Sequence, residues 1–370
     1  MASKKDFSNE IRAYALRNAL NFGKADAGKI LPKLFQHGLE KSEIRGVMLD
    51  IKKIVEEVNS LSDEKRRKEF EGLSKYVKER EEREGLAELP NVGRKFVARA
   101  APFPSGALHI GNAKTFILNA LYAEKYKGKI ILVMDDTIGS AEKPIEKEAY
   151  ELIEKGFKWL GIKFDEKFYK SDRLEIYYKY ALELIKKGKA YVCYCDREEV
   201  RKNREEGREC GCRHFPSGVQ SVRWDEMFDM EEGHATLRIK TSMQNPNPAF
   251  RDRVLFKISD REHPRVGKKY RVWPTLEMSW AVDDYLLKIT HVIRGNDLMI
   301  ESDMEKFIWE IFGWKGSEII HTGFVSISGA GISKSKSRKE VKSGKFIGWD
   351  DPRTWSIQSL ARRGIKPEAL

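Results

Sequence analysis

Lys95-Phe96-Val97-Ala98-Arg99-Ala100-Ala101-Pro102-Phe103-Pro104-Ser105-Gly106-Ala107-Leu108-His109-Ile110-Gly111-Asn112 decides the fold. The short apolar run at 95–98 reads as a strand, the prolines and Gly106 force a turn, and a helix opens at Gly111-Asn112 and runs over 112–126. A second apolar run, Ile130-Ile131-Leu132-Val133-Met134, reads as a buried strand, and helices follow over 145–160 and 174–187. Strand and helix in alternation predict a parallel sheet with crossover helices, hence an α/β core. Ligands on such sheets gather at the carboxyl ends of strands. Residues 99–112 and 135–137 both fall at such ends. A helix N-terminus draws phosphate through unpaired N–H groups and its dipole. His109 can donate to a phosphate oxygen, and Gly111 permits close approach of a flat ring. Taken alone, the same stretch is a turn before a helix.

Working outward, the first 85 residues look helical throughout. Ile11, Tyr14, Ala15, Ala19 and Phe22 form one apolar stripe, and Ser62, followed by Asp63 and Glu64, is placed to cap a later helix. The charge-dense stretch 63–84 reads as a solvated helix, and Glu88-Leu89-Pro90-Asn91-Val92-Gly93 as a linker. Beyond the α/β stretch, residues 236–288 read as strand-like and interrupted by Pro and Gly, an insertion of different architecture. Strands return around 286–294, and a helix covers 302–312. The chain of 370 residues suits two or three domains. Its formal net charge of +12 favours a polyanionic partner, because Lys and Arg displace counterions from phosphates. No apolar run approaches the roughly 20 residues that span a bilayer, and no apolar leader opens the chain, so the expected location is cytoplasmic without a membrane partner.

Near the other end stands Ser328-Gly329-Ala330-Gly331-Ile332-Ser333-Lys334-Ser335-Lys336-Ser337-Arg338-Lys339, a Gly-rich segment whose cations can close on a triphosphate; alone it is a flexible basic loop. With the first stretch, in this order and separated by a long α/β region, it resembles class I aminoacyl-tRNA synthetases, and specifically the archaeal type of glutamyl-tRNA synthetase. His109-Ile110-Gly111-Asn112 is similar to the family's HIGH signature with its last residue changed, and Gly331-Ile332-Ser333-Lys334-Ser335 to its KMSKS loop. Supporting stretches are Thr290-His291-Val292-Ile293-Arg294-Gly295-Asn296-Asp297, Asn245-Pro246-Asn247-Pro248, His263-Pro264-Arg265-Val266-Gly267, Gly348-Trp349-Asp350-Asp351-Pro352-Arg353 and Ala361-Arg362-Arg363-Gly364-Ile365.

The resemblance implies a Rossmann-type catalytic domain in two halves, 93–192 and 273–326, split by an acceptor-stem-binding insertion at 193–272. A helical appended domain at 1–92 precedes them, and the KMSKS-like loop with the start of a stem-contact region, 327–370, follows. It implies glutamate, ATP with Mg2+ and the acceptor stem of tRNA(Glu) as ligands, and nothing suggests more than a monomer. Carried over residue by residue, Arg99 pairs with the substrate side chain, Arg294 is another arginine of the amino-acid pocket, Asp135 receives the substrate ammonium and Leu276 lines the pocket. Pro104, Gly106, His109, Gly111, Asn112, Ile332, Ser333, Lys334 and Ser335 hold ATP, with His109, Asn112, Lys334 and Lys336 as the catalytic set. These types agree with the chemistry, because a ligand with two carboxylates and one ammonium needs two cations and one anion.

All four cysteines lie in Cys193-x-Cys195 and Cys210-x-Cys212, two close pairs whose thiolates suit tetrahedral zinc; four reduced structural thiols are the alternative. Departures from the family pattern are Asn112 for the second signature histidine, Gly331 for the first lysine of the loop, and Leu276 for a tyrosine of the amino-acid pocket. The stretch around Asp135 also lacks an arginine before it and an acid after it. The family continues beyond Leu370 into anticodon-binding barrels, so this chain alone is expected to bind tRNA more weakly and less selectively. A glutaminyl-tRNA synthetase, an RNA-binding paralogue without turnover and a small-molecule nucleotidyltransferase of the same superfamily are the competing readings.

Overall fold

The computed structural model describes residues 6–78, 85–139, 143–323, 325 and 334–370. The chain forms two units, Met1–Ala87 and Glu88–Leu370. In the first, helices α1 (Ser8–Phe22), α2 (Ala27–Leu34), α3 (Ile44–Ser60) and α4 (Asp63–Leu73) bury Ile11, Tyr14, Leu16, Ile30, Leu34, Ile51 and Val58 together. The predicted stripe stops one turn early: Phe22 is 77% exposed, because the chain leaves α1 at Gly23 in a left-handed turn. Ser62 caps α4 by accepting from the Lys65 amide. The stretch read as solvated contains one buried charge. Arg66 donates to the carbonyls of Gly23, Val58 and Asn59, where α1 and α3 end and intrahelical donors run out.

The second unit is built on strands β1 (Val97–Ala100), β2 (Lys129–Met134) and β3 (Glu166–Tyr169), joined by α5 (Ile110–Lys125) and α6 (Lys147–Trp159). After α7 (Leu174–Lys186) the chain leaves this sheet. It makes β4 (Ala190–Cys193), α8 (Arg197–Glu206), α9 (Ser217–Glu226), β5 (Thr236–Ile239), β6 (Val254–Ile258) and β7 (Val272–Pro274). It returns through α10 (Leu276–Leu286), β8 (His291–Gly295), α11 (Met299–Phe312) and β9 (Glu318–Thr322), and ends with α12 (Lys334–Lys342) and α13 (Ile357–Arg362). The first sheet is parallel in the order β3-β2-β1-β8-β9, and the second is antiparallel in the order β4-β5-β6-β7. The inserted sheet thus begins at Ala190 and ends at Pro274, slightly wider than 193–272.

Two local readings change. Residues 276–286, read as strand-like, form α10; Glu277 through Asp284 are all buried, so no one-sided apolar period shows in the sequence. The stretch read as a linker is stitched to the sheet: the Pro90 carbonyl lies 2.9 Å from His291 Nε2, and Leu89 N–H donates to the Tyr126 hydroxyl at 2.9 Å. A third stretch, His263-Pro264-Arg265, ties the inserted sheet to the parallel one. His263 Nε2 lies 2.7 Å from the Asp136 carbonyl, and Arg265 donates to Ser171 and Asp172 while lying 3.5 Å above the Tyr169 ring. Among the described residues no helix is long and apolar enough to cross a membrane.

Candidate active site

Strands β2 and β3 run to one side of β1, and β8 and β9 to the other, so the chain reverses direction across the sheet between β1 and β8. A crevice at such a switch point is where open α/β sheets bind ligands. A cavity of about 930 Å3 opens there, walled by Arg99, Asp135, Arg294, His109 and Lys334 among others. Seven Lys and Arg side chains reach its wall against four Asp and Glu, which suits an anionic ligand.

One end is built from buried charge. Arg99, on β1, gives Nε and Nη2 to Asp284 on α10, the Nη2 bond at 3.1 Å. Arg294, on β8, donates Nη1 to Glu305 at 2.6 Å, but its Nε and Nη2 are buried with no hydrogen-bond partner. Burial pushes the Glu305 carboxyl up to about 7, with Arg294 opposing. Asp135, just past β2, lies 2.8 Å from the fully buried Lys170 ammonium, which also donates to Ser279. Burial raises Asp135 and Lys170 opposes it. Asp135 therefore reaches the cavity already paired, a feature its sequence position did not reveal.

The other end is the helix entry. His109 is the N-cap of α5: its Nδ1 accepts from the Asn112 amide at 3.3 Å, while Asn112 Oδ1 accepts from the His109 amide at 3.5 Å. This reciprocal cap gives Asn112 a structural place at the third helical position. With Nδ1 an acceptor, the ring proton sits on Nε2. Burial, then the charge of Lys334, lowers His109 to about 4, so it stays neutral at pH 7. Lys334 opens α12, donates to the Phe103 carbonyl at 3.1 Å, and is lowered to about 7 by burial and then by Arg338 and Lys143. A lysine held among cations and half-discharged gains from an arriving polyanion.

The remaining sequence candidates separate. Gly111, Asn112, Leu276 and Ser335 reach the cavity wall. Pro104 and Gly106 stand behind it. The Pro104 carbonyl accepts from Glu146, and a Cβ on Gly106, at φ 138°, would stand 2.2 Å from Trp349. Lys336 is exposed on α12 and absent from the described wall. Ile332 and Ser333 lie outside the described residues.

Residues 95–370 match the family described as tRNA synthetases class I (E and Q), catalytic domain. The chain belongs to that family. The glutamate–tRNA ligase of Pyrococcus furiosus is 46% identical over 369 residues, covering 96% of this chain and 64% of that protein. Those of Methanothermobacter marburgensis and Pyrococcus abyssi are 42% identical over 361 residues and 46% over 368, covering 96% of this chain and 65% and 64% of theirs. The chain thus spans 64–65% of the length of these relatives.

Away from that cavity, Cys193, Cys195, Cys210 and Cys212 bring their Sγ atoms within 4.8 Å of one another. Cys193 and Cys210 are 3.7 Å apart, far beyond the roughly 2.05 Å of a disulfide. Zn–S bonds of about 2.3 Å place tetrahedral sulfurs about 3.8 Å apart, so the set fits that ion. The buried Arg238 donates to both sulfurs, and the Cys193 hydrogen bond draws Cys210 down to about 5 against its burial. Residues the sequence reading passed over are Lys170, Trp280, Asp284, Glu301 and Glu305. A signal existed for two of them: Leu276, Trp280 and Asp284 fall four apart, on one face of α10.

Proposed function

We propose that this chain activates glutamate with ATP and transfers it to the 3′ end of tRNA(Glu). The observation that carries this reading is Arg294, a buried guanidinium with two unpaired N–H groups facing the needs of a carboxylate, in the same cavity as His109 and Lys334. A pocket with unpaired donors favours glutamate's side-chain carboxylate over the amide of glutamine, whose NH2 would meet donors. Arg99, fixed by Asp284, is the second cation for the amino acid. Asp135 shares its charge between Lys170 and the substrate ammonium.

In the first step the α-carboxylate of glutamate attacks the α-phosphorus of ATP. The bond to the bridging oxygen breaks, and pyrophosphate leaves with the Mg2+ that entered with the nucleotide. In the second, a terminal ribose hydroxyl attacks the acyl carbon, loses its proton, and AMP departs. Neither step needs a protein nucleophile; positioning and charge neutralisation supply the catalysis. His109 offers Nε2–H to a phosphate oxygen, and Lys334 takes up a proton as the triphosphate arrives. Ser335, beside Lys334 on the cavity wall, offers a hydroxyl to the phosphates, and Lys336 adds a further cation nearby. The inserted domain receives the acceptor stem, and a Zn2+ held by the four cysteines would fix its shape without a part in the chemistry. Protein synthesis places such an enzyme in the cytoplasm.

ATP–pyrophosphate exchange tests the proposal, run with glutamate or glutamine and with or without total tRNA. Exchange that requires glutamate supports it; absence of exchange with either amino acid in the presence of tRNA overturns it.

A further inference from the structure

Trp280 stands between the charges of the amino-acid end. It is 4% exposed, on the cavity wall, one turn beyond Leu276 on α10. Arg99 Cζ, Lys170 Nζ and Arg294 Cζ each lie 5.0 Å from its ring. Three cations this close repel one another. The acids Asp284, Asp135 and Glu305 offset part of that, and the electron-rich indole offsets more. A flat, rigid ring touching all three also fixes how far apart the two guanidiniums stand. Its Nε1–H is buried and has no hydrogen-bond partner, as are Arg294 Nε and Nη2. Native proteins rarely leave such donors unpaired without a ligand to meet them. On the same wall Glu301 Oε2 is a buried acceptor without a hydrogen-bond partner, which suits a ligand N–H and not a carboxylate.

We infer that Trp280 is a specificity-determining residue, whose indole spaces Arg99 and Arg294 and adds a third unpaired donor, so that the pocket selects a carboxylate side chain over its amide. This rests on the glutamate reading above and names the residue that enforces it. A ligand carboxylate accepts from Arg294 and from the indole N–H together. A side-chain amide offers one acceptor and sets its own NH2 against the remaining donors.

The test is calorimetric binding of glutamate and of glutamine to the whole chain, for the unaltered protein and for Trp280→Phe and Trp280→Leu, each checked by thermal melting. Trp280→Phe keeps a ring and removes the N–H. It is expected to lower the glutamate-over-glutamine affinity ratio about tenfold, the size of one hydrogen bond to a charged group. Trp280→Leu should lower the ratio further, since the spacing of the guanidiniums goes too. Should Trp280→Leu fail to fold, Trp280→Phe decides alone. Equal weakening of both ligands in Trp280→Phe, with the ratio kept, would mean a merely structural ring and overturn the inference while leaving the glutamate reading intact. Unaltered protein that prefers neither amino acid, or binds neither, would overturn both.

Discussion

The helical unit and the catalytic unit treat buried polarity in opposite ways. Among the described residues of Met1–Ala87, every buried side-chain nitrogen and oxygen finds a hydrogen-bond partner, and the one deeply buried charge, Arg66, is satisfied by three carbonyls. Among the described residues every buried side-chain atom without such a partner lies in Glu88–Leu370, and three of the residues concerned, Trp280, Arg294 and Glu301, wall one cavity. Folding alone favours pairing each buried donor and acceptor. A unit that leaves several unpaired around one cavity is organised for a ligand, and the price in stability is offset when that ligand binds.

The largest effect that would sharpen this contrast is expected from Arg294→Gln. It removes the unpaired guanidinium and leaves Glu305 without its cation, so glutamate-dependent exchange should fall roughly 100- to 1,000-fold. Activity within a few-fold of the unaltered chain would break the contrast. Next is Lys334, whose pKa is lowered to about 7 by burial and neighbouring cations. A triphosphate raises it again, so the free chain holds fewer protons than the ATP complex just above pH 7. Calorimetry in buffers of differing ionisation enthalpy should show net proton uptake on ATP binding at pH 7.5, and Lys334→Arg should lose that uptake. Uptake that persists in the arginine variant would place the titrating group elsewhere. Smaller again is Cys210→Ser. Metal analysis should find about one Zn2+ per unaltered chain, fewer in the variant, and the variant should melt several degrees lower. The smallest is Ser62→Ala in the helical unit, which removes a long N-cap bond. It should cost about 0.5–1 kcal/mol in denaturant unfolding and leave exchange unchanged.

The sequence carried the α/β core, the helix entry at His109 and the four-cysteine set, because each is local: a turn before a helix, or close pairs of one residue type. It did not carry the partners that hold the long-range charges. Arg99 and Asp284 lie 185 residues apart and meet only in the folded chain. Lys170, one residue past β3, reaches Asp135, one residue past the neighbouring β2, and has no motif of its own. The helix α10 itself was hidden because it is buried all round, and only tertiary packing distinguishes that from a strand. Gly106 was legible as part of a motif but not as the seat of Trp349, which arrives from residue 349.

The most direct test of the central claim is calorimetric binding of a nonhydrolysable glutamyl-adenylate analogue, one molecule that must occupy both ends of the cavity at once. Binding at least about 100-fold tighter than that of ATP or glutamate alone is expected, because two occupied ends share one association cost. The glutaminyl analogue should bind more weakly. An analogue that binds no tighter than ATP would show that Arg294 and His109 do not serve one ligand.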